Sequence, residues 1–108
     1  MLSELHIENL GVIEKLDLSI GEGLVALTGE TGAGKTMLVE AIDLLVGGRA
    51  DASVVRTGCE EARVEGRFVT DENEVILCRV VPITGRSRAY INGRLATVAQ
   101  LAEYGVDL

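Results

Sequence analysis

Gly29-Glu30-Thr31-Gly32-Ala33-Gly34-Lys35-Thr36 fits the pattern G-x-x-x-x-G-K-[ST]. The pattern has a physical basis. Glycines let the backbone curl so that successive N–H groups point inward and cradle phosphate oxygens. A lysine at this spacing reaches the β- and γ-phosphates, and a threonine hydroxyl after it can ligate Mg²⁺. An ordinary glycine-rich turn that happens to hold a lysine would match as well, so the flanks decide. Before the loop, Leu24-Val25-Ala26-Leu27 is a short apolar run of the kind that forms a buried parallel strand. After it, residues 37–46 (MLVEAIDLLV) have helical spacing and end at Gly47-Gly48. Strand, glycine loop and helix are the context a phosphate loop needs, with the helix N-terminus adding partial positive charge under the anion.

Working outward, residues 2–8 predict a strand with Leu5 and Ile7 on one face and Glu4, His6 and Glu8 on the other. His6 reads as a half-exposed strand residue rather than a ligand. Asn9-Leu10-Gly11 predicts a turn, and Leu16, Leu18 and Ile20 alternate with polar residues as a second strand. Gly21-Glu22-Gly23 then turns into the loop's own strand, a connection short enough to imply antiparallel pairing. The helix pattern puts Leu38, Ala41, Ile42 and Leu45 on its inner stripe and leaves Glu40 and Asp43 in solvent. Residues 48–53 read as a loop and residues 54–58 as a very short extended piece. Ala62, Val64, Gly66 and Phe68 share one side of a further strand. The charged turn Asp71-Glu72-Asn73-Glu74 leads into a strand over residues 75–81, which Pro82 ends or confines to an edge. Thr84-Gly85-Arg86-Ser87 turns back into Arg88-Ala89-Tyr90-Ile91, and Asn92-Gly93 signals a tight turn. These three segments predict an antiparallel meander. Thr97 and Gln100 form a capping box for a last helix, with Leu101 and Ala102 inward and Gly105 as its stop.

The composition is that of a globular domain: 47% hydrophobic, 25% charged and one proline in 108 residues. With Phe68, Tyr90 and Tyr104 as the only aromatics, the core must rest on Leu, Ile, Val and Ala. The net charge of −7 disfavours a free-standing nucleic-acid clamp, which needs clustered Lys and Arg. Charge is uneven, however: seven of the ten basic residues are arginines between Arg56 and Arg94. That half presents either a local basic patch or a solvated mixed-charge surface. Cys59 and Cys78 form no C-x-x-C pair and His6 is the only histidine, so structural zinc is not expected and free thiols are. No segment reads as a signal peptide or as a membrane span of about 20 apolar residues, and a cytoplasmic chain is expected.

A phosphate loop alone does not hydrolyse a nucleotide. An apolar strand ending in Asp, often followed by a catalytic Glu, normally holds Mg²⁺ and orients the attacking water. Residues 67–72 end in Asp71-Glu72, but a charged strand leads in and a hairpin turn is the better reading. No Leu-Ser-Gly-Gly run exists, and no catalytic residue is assigned.

Four stretches in order resemble the bacterial DNA double-strand-break repair and recombination ATPase family RecN, relatives of the structural-maintenance-of-chromosomes (SMC) proteins. They are residues 2–13 (LSELHIENLGVI), the loop in its GETGAGKT form, Gly47-Gly48-Arg49-Ala50 with Val55-Arg56-Thr57-Gly58, and residues 88–94 (RAYINGR). The resemblance covers the whole chain, as the N-terminal lobe of the family's head. It implies an α/β fold: an incomplete P-loop, ABC-ATPase-type N-terminal lobe over residues 1–108, with an antiparallel β subdomain at about residues 60–95. It implies ATP and Mg²⁺ as ligands. Gly29, Glu30, Thr31, Gly32, Ala33, Gly34, Lys35 and Thr36 would hold the nucleotide, with Thr36 on the metal. Arg56 falls where relatives carry an arginine loop near nucleotide or DNA; a surface pair with Glu60 or Glu61 is the other reading. Arg86, Arg88 and Arg94 around the last hairpin face DNA or form a solvated rim. The partners implied are the C-terminal head lobe, which this sequence lacks, a homodimeric copy, and DNA for the full-length protein, with no membrane. A non-catalytic truncated fragment that self-associates is one alternative. A small P-loop kinase is another, but such enzymes need a lid, a substrate pocket and commonly about 180 residues or more.

Overall fold

The computed structural model describes residues 2–19, 32–69 and 72–107, with side chains for 2–19, 38–69 and 72–104. The expected apolar strand at residues 24–27, the preceding turn, Ile20, Asp71 and residues 29–31 of the glycine loop lie outside these.

Among the described residues, six strands form one antiparallel sheet in the order β2-β1-β3-β4-β5-β6. They are β1 (Leu2–Leu10), β2 (Ile13–Ser19), β3 (Glu61–Val69), β4 (Glu74–Pro82), β5 (Arg88–Ile91) and β6 (Arg94–Ala96). Helix α1 (Gly32–Leu45), the 3-10 turn η1 (Ala52–Val54) and helix α2 (Val98–Asp107) complete the described structure. The early hairpin and the later meander are therefore one sheet, joined by β1 pairing with β3.

Alternation sets the two faces. Leu5 and Ile7 of β1, and Ala62, Val64 and Phe68 of β3, are buried on the side that receives α1, together with Leu77 and Val81 of β4. Leu38, Ala41, Leu44 and Leu45 of α1 close this core. The helix's inner stripe is rotated slightly from the expected one: Leu44 is buried, whereas Ile42 is half-buried. Gly66 lies directly beneath the helix, where a Cβ would stand 2.5 Å from Leu45 Cδ1. Its missing side chain lets helix and sheet approach.

The first expected turn is displaced. β1 continues through Asn9, whose φ of 55° is one that Asn tolerates better than most residues. As a result Leu10 stays in register with Ile13 and is fully buried. The end of β1 also recruits the segment after α1: Arg56 N–H donates to Asn9 O (2.8 Å) and Gly11 N–H to Val54 O (2.7 Å). Asp51 caps η1 through Ser53 N–H at 2.9 Å.

β4 ends at Pro82, as expected, and is an interior strand. Asn92 and Gly93 take positive φ values of 51° and 81°, so Ile91 pairs with Arg94 across a two-residue turn. At α2, Gln100 N–H donates to Thr97 Oγ1 (3.1 Å) and Thr97 N–H to Gln100 Oε1 (2.8 Å), completing the capping box. Leu101 is buried. Gly105 does not stop the helix, which runs on to Asp107.

Candidate functional site

α1 starts at Gly32, inside the glycine-rich stretch rather than at residue 37. Gly32, Ala33, Gly34, Lys35 and Thr36 thus form its N-terminal turn. The first four N–H groups of a helix have no partner within it, and the aligned peptide dipoles place roughly half a positive charge there. Among the described residues, no acidic residue lies in this first turn. A helix start of this kind, opening on a glycine, favours anionic groups. Gly29, Glu30 and Thr31 lie outside the described residues.

The far end of α1 is held by a buried arginine that sequence reading does not single out. Arg79 of β4 sits between Leu77 and Val81 on the helix-facing side and is only 2% exposed. Its Nη1 donates to Leu44 O (3.0 Å) and Gly48 O (2.8 Å). Its Nε and Nη2 donate to Ser87 Oγ at 3.3 and 3.0 Å. Burial pushes the guanidinium pKa down, opposed by the Asp43 carboxylate. The signal in the sequence was an arginine inside an otherwise apolar stripe.

Arg56 is half-buried, and its Nη1 donates to Val12 O at 3.0 Å, tying the segment after η1 to the β1–β2 turn. Glu61, one of the carboxylates considered for Arg56, bonds instead to Arg88 (3.4 Å). Arg86 and Arg94 are exposed.

The sheet face away from α1 carries a mixed-charge network. Arg67 reaches Glu74 (2.8 Å) and Glu4 (3.3 Å), and Arg63 reaches Glu65 (3.3 Å). Three of the second half's arginines (Arg63, Arg67 and Arg88) therefore face carboxylates, as on a solvated mixed-charge surface. His6 bonds to Asp17 through Nδ1 and lies 3.3 Å from Glu8 through Nε2. The hydrogen bond to Asp17 raises the His6 pKa above 6.5, although partial burial opposes the rise. Among the described residues no group of His, Cys, Asp and Glu could hold a metal ion. Both cysteines are free thiols. No helix among the described residues is long and apolar enough to cross a membrane.

The model of the AAA domain family matches residues 4–97. The DNA repair protein RecN of Streptomyces coelicolor is 40% identical over 96% of this chain, and RecN of Bacillus subtilis is 38% identical over 97%. The chain spans 21% of the length of each of these relatives. Among solved structures, an SMC ATPase studied for ATP-driven dimerization and DNA-stimulated activation superposes with a TM-score of 0.79 at 24% identity. That superposition covers 94% of this chain and 75% of the other, and it establishes an ATPase-head fold, of which this chain is a partial N-terminal lobe. The chain belongs to the AAA domain family, and it is similar to RecN proteins over essentially its whole length.

Proposed function

We propose that this chain is the ATP-binding half of a RecN-like ATPase head that acts in DNA double-strand-break repair and recombination. Residues 1–108 form the N-terminal lobe, and a C-terminal lobe supplies the groups for hydrolysis. The observation that carries the reading is the start of α1 at Gly32, within a complete G-x-x-x-x-G-K-[ST] sequence and with no acid in the first turn. The likeness to RecN supports the repair role.

In this reading Gly29, Gly32 and Gly34 shape the cradle. Glu30, Thr31 and Ala33 contribute backbone N–H groups. Lys35 neutralises the β- and γ-phosphates, and Thr36 supplies an oxygen to Mg²⁺. The metal's chemistry is charge neutralisation at the phosphates. Arg56 belongs to the nucleotide-side or DNA-side loop. The partners are the C-terminal lobe, a second head and DNA, in the cytoplasm. The similar SMC ATPase, studied for ATP-driven dimerization and DNA-stimulated activation, supports nucleotide, dimer and DNA as a set. The chain alone is not expected to turn over ATP.

Calorimetric titration of Mg·ATP into the chain, beside Lys35→Ala, tests the site. Binding by the parent and none by a folded Lys35→Ala variant is the expected result. Equal affinity in the two would overturn the assignment of the loop. Thr36→Val is expected to lessen the dependence of binding on Mg²⁺; an unchanged dependence would remove Thr36 from the metal.

A further inference from the structure

Helix α1 begins at Gly32 and ends at Leu45, a span of about 21 Å at 1.5 Å per residue. Its C-terminal end is held by Arg79, itself braced by Ser87, and by close approach to α2. Arg79 donates to Leu44 O in the last turn and to Gly48 O just beyond it. Ser87, in the connection between β4 and β5, takes the other edge of the same guanidinium. Gly47, at φ +92°, lies so close to α2 that a Cβ there would stand 2.9 Å from Ala102 Cβ.

Cohesion alone is a poor account of Arg79. Burying a guanidinium is costly, and an apolar side chain of similar volume often stabilises a core as well or better. The hydrogen-bond partners seen for Arg79 are two carbonyls and a hydroxyl, none of them charged. What a planar fork provides, and an apolar residue does not, is a fixed direction for each bond. Two of its bonds straddle the helix end, and the other two fix the fork itself. The guanidinium also complements the negative end of the helix dipole. Depth and rotation of α1 are thereby set at one end, and a hydrogen-bonded helix carries that setting to the other.

We propose that Arg79 is the positioning residue of the phosphate loop: through Leu44 O and Gly48 O it fixes how α1 sits on the sheet, and Ser87 fixes Arg79. The placing of the first-turn amides of residues 32–36 is then governed from the β4–β5 connection at the other end of the helix. The inference rests on the ATP-binding reading above, but its test has a readout independent of nucleotide.

The experiment compares the chain with Arg79→Met, Arg79→Lys and Ser87→Ala by amide hydrogen exchange and by Mg·ATP titration, with Lys35→Ala as the binding control. Arg79→Met is expected to speed exchange along α1 from residue 36 to residue 44 while the amides of β1 and β3 keep their protection. It is expected to weaken Mg·ATP by about tenfold or more at temperatures where the variant stays folded. Ser87→Ala should do the same to a smaller degree although it removes no contact to the helix. Arg79→Lys should restore part of the affinity, since an ammonium reaches carbonyls but lacks the fork. Uniformly faster exchange across helix and sheet would mean a merely structural role and overturn the proposal. So would faster exchange confined to residues 44–48, or unchanged affinity in a variant whose parent binds. If parent and Lys35→Ala both fail to bind, the ATP reading fails for this chain, and the exchange pattern alone decides whether Arg79 sets α1.

Discussion

Gly66 and Leu45 should be energetically coupled, and the size of the coupling follows from one distance. A Cβ built on Gly66 stands 2.5 Å from Leu45 Cδ1, with Leu2 Cδ1 and Phe68 Cε2 each at 3.2 Å. Carbon atoms in contact sit about 3.5–4.0 Å apart, so in Gly66→Ala the leucine tip or the whole of α1 must retreat by about 1 Å. Leu45 is fully buried, which leaves it little room to turn aside. Overpacking of this kind costs about 1–3 kcal/mol. Loss of glycine's freedom in the unfolded chain returns about 0.4–1 kcal/mol, so the single variant is destabilised by roughly 1 kcal/mol. Leu45→Ala alone opens a cavity and costs about 2–5 kcal/mol. In the double variant the new methyl enters the space the leucine vacates. The overpacking vanishes and part of the cavity is filled, so the pair should be more stable than the sum of the singles predicts by about 1–3 kcal/mol. Urea denaturation of the four proteins, compared at a common m-value, measures this. Additivity to within about 0.5 kcal/mol would refute the view that Gly66 sets the approach of α1 to the sheet.

Three further outcomes are expected. The His6 pKa is raised above 6.5, chiefly by Asp17, so its contribution to stability is complete below pH 6.5 and fades as the pH rises through the raised value. Thermal melts of the parent should therefore lose stability across that window relative to His6→Gln; parallel profiles would show that the pair contributes nothing. Thr97→Ala removes the acceptor for Gln100 N–H and should cost about 0.5–2 kcal/mol, read by denaturant midpoint; no change would mean that α2 is held by Leu101 alone. Burial holds the Cys78 thiol at a pKa of about 11, whereas Cys59 is half-buried, so a thiol reagent should modify only Cys59 in the native chain. Rapid reaction of both would contradict the packing around β4.

Features encoded by neighbouring residues were legible in the sequence. The alternation of Ala62, Val64, Gly66 and Phe68 placed β3 and its inner face, because a period of two has one structural meaning. Asn92-Gly93 placed the turn between β5 and β6, because both residues accept positive φ. Thr97 and Gln100 placed the start of α2 through hydrogen bonds that span three residues. Features set by tertiary contact were not legible. Asn9 extended β1 instead of ending it, because Leu10 has a partner in Ile13 and a place in the core. β6 has no apolar stripe, since Arg94 and Leu95 are both exposed; it exists through pairing with β5. The continuation of α2 past Gly105 has no local signal, and a glycine within a helix costs about 1 kcal/mol relative to alanine.

The same division runs through the candidate site. The chemistry proposed for the loop is written in consecutive residues, since backbone groups shaped by a local glycine pattern are what bind phosphate in such loops. What aims that loop is a separate matter, because direction has to come from whatever the helix rests on. Here that support is drawn from β1, β3 and β4, which pack beneath α1, and from Arg79, 35 residues beyond the carbonyl it holds at Leu44. No local pattern encodes such a contact. It left one trace, an arginine at a position where alternation calls for an apolar side chain. In a strand facing a core, a charge out of pattern is an instruction to look for a helix end, because unpaired carbonyls there satisfy a buried guanidinium without a carboxylate.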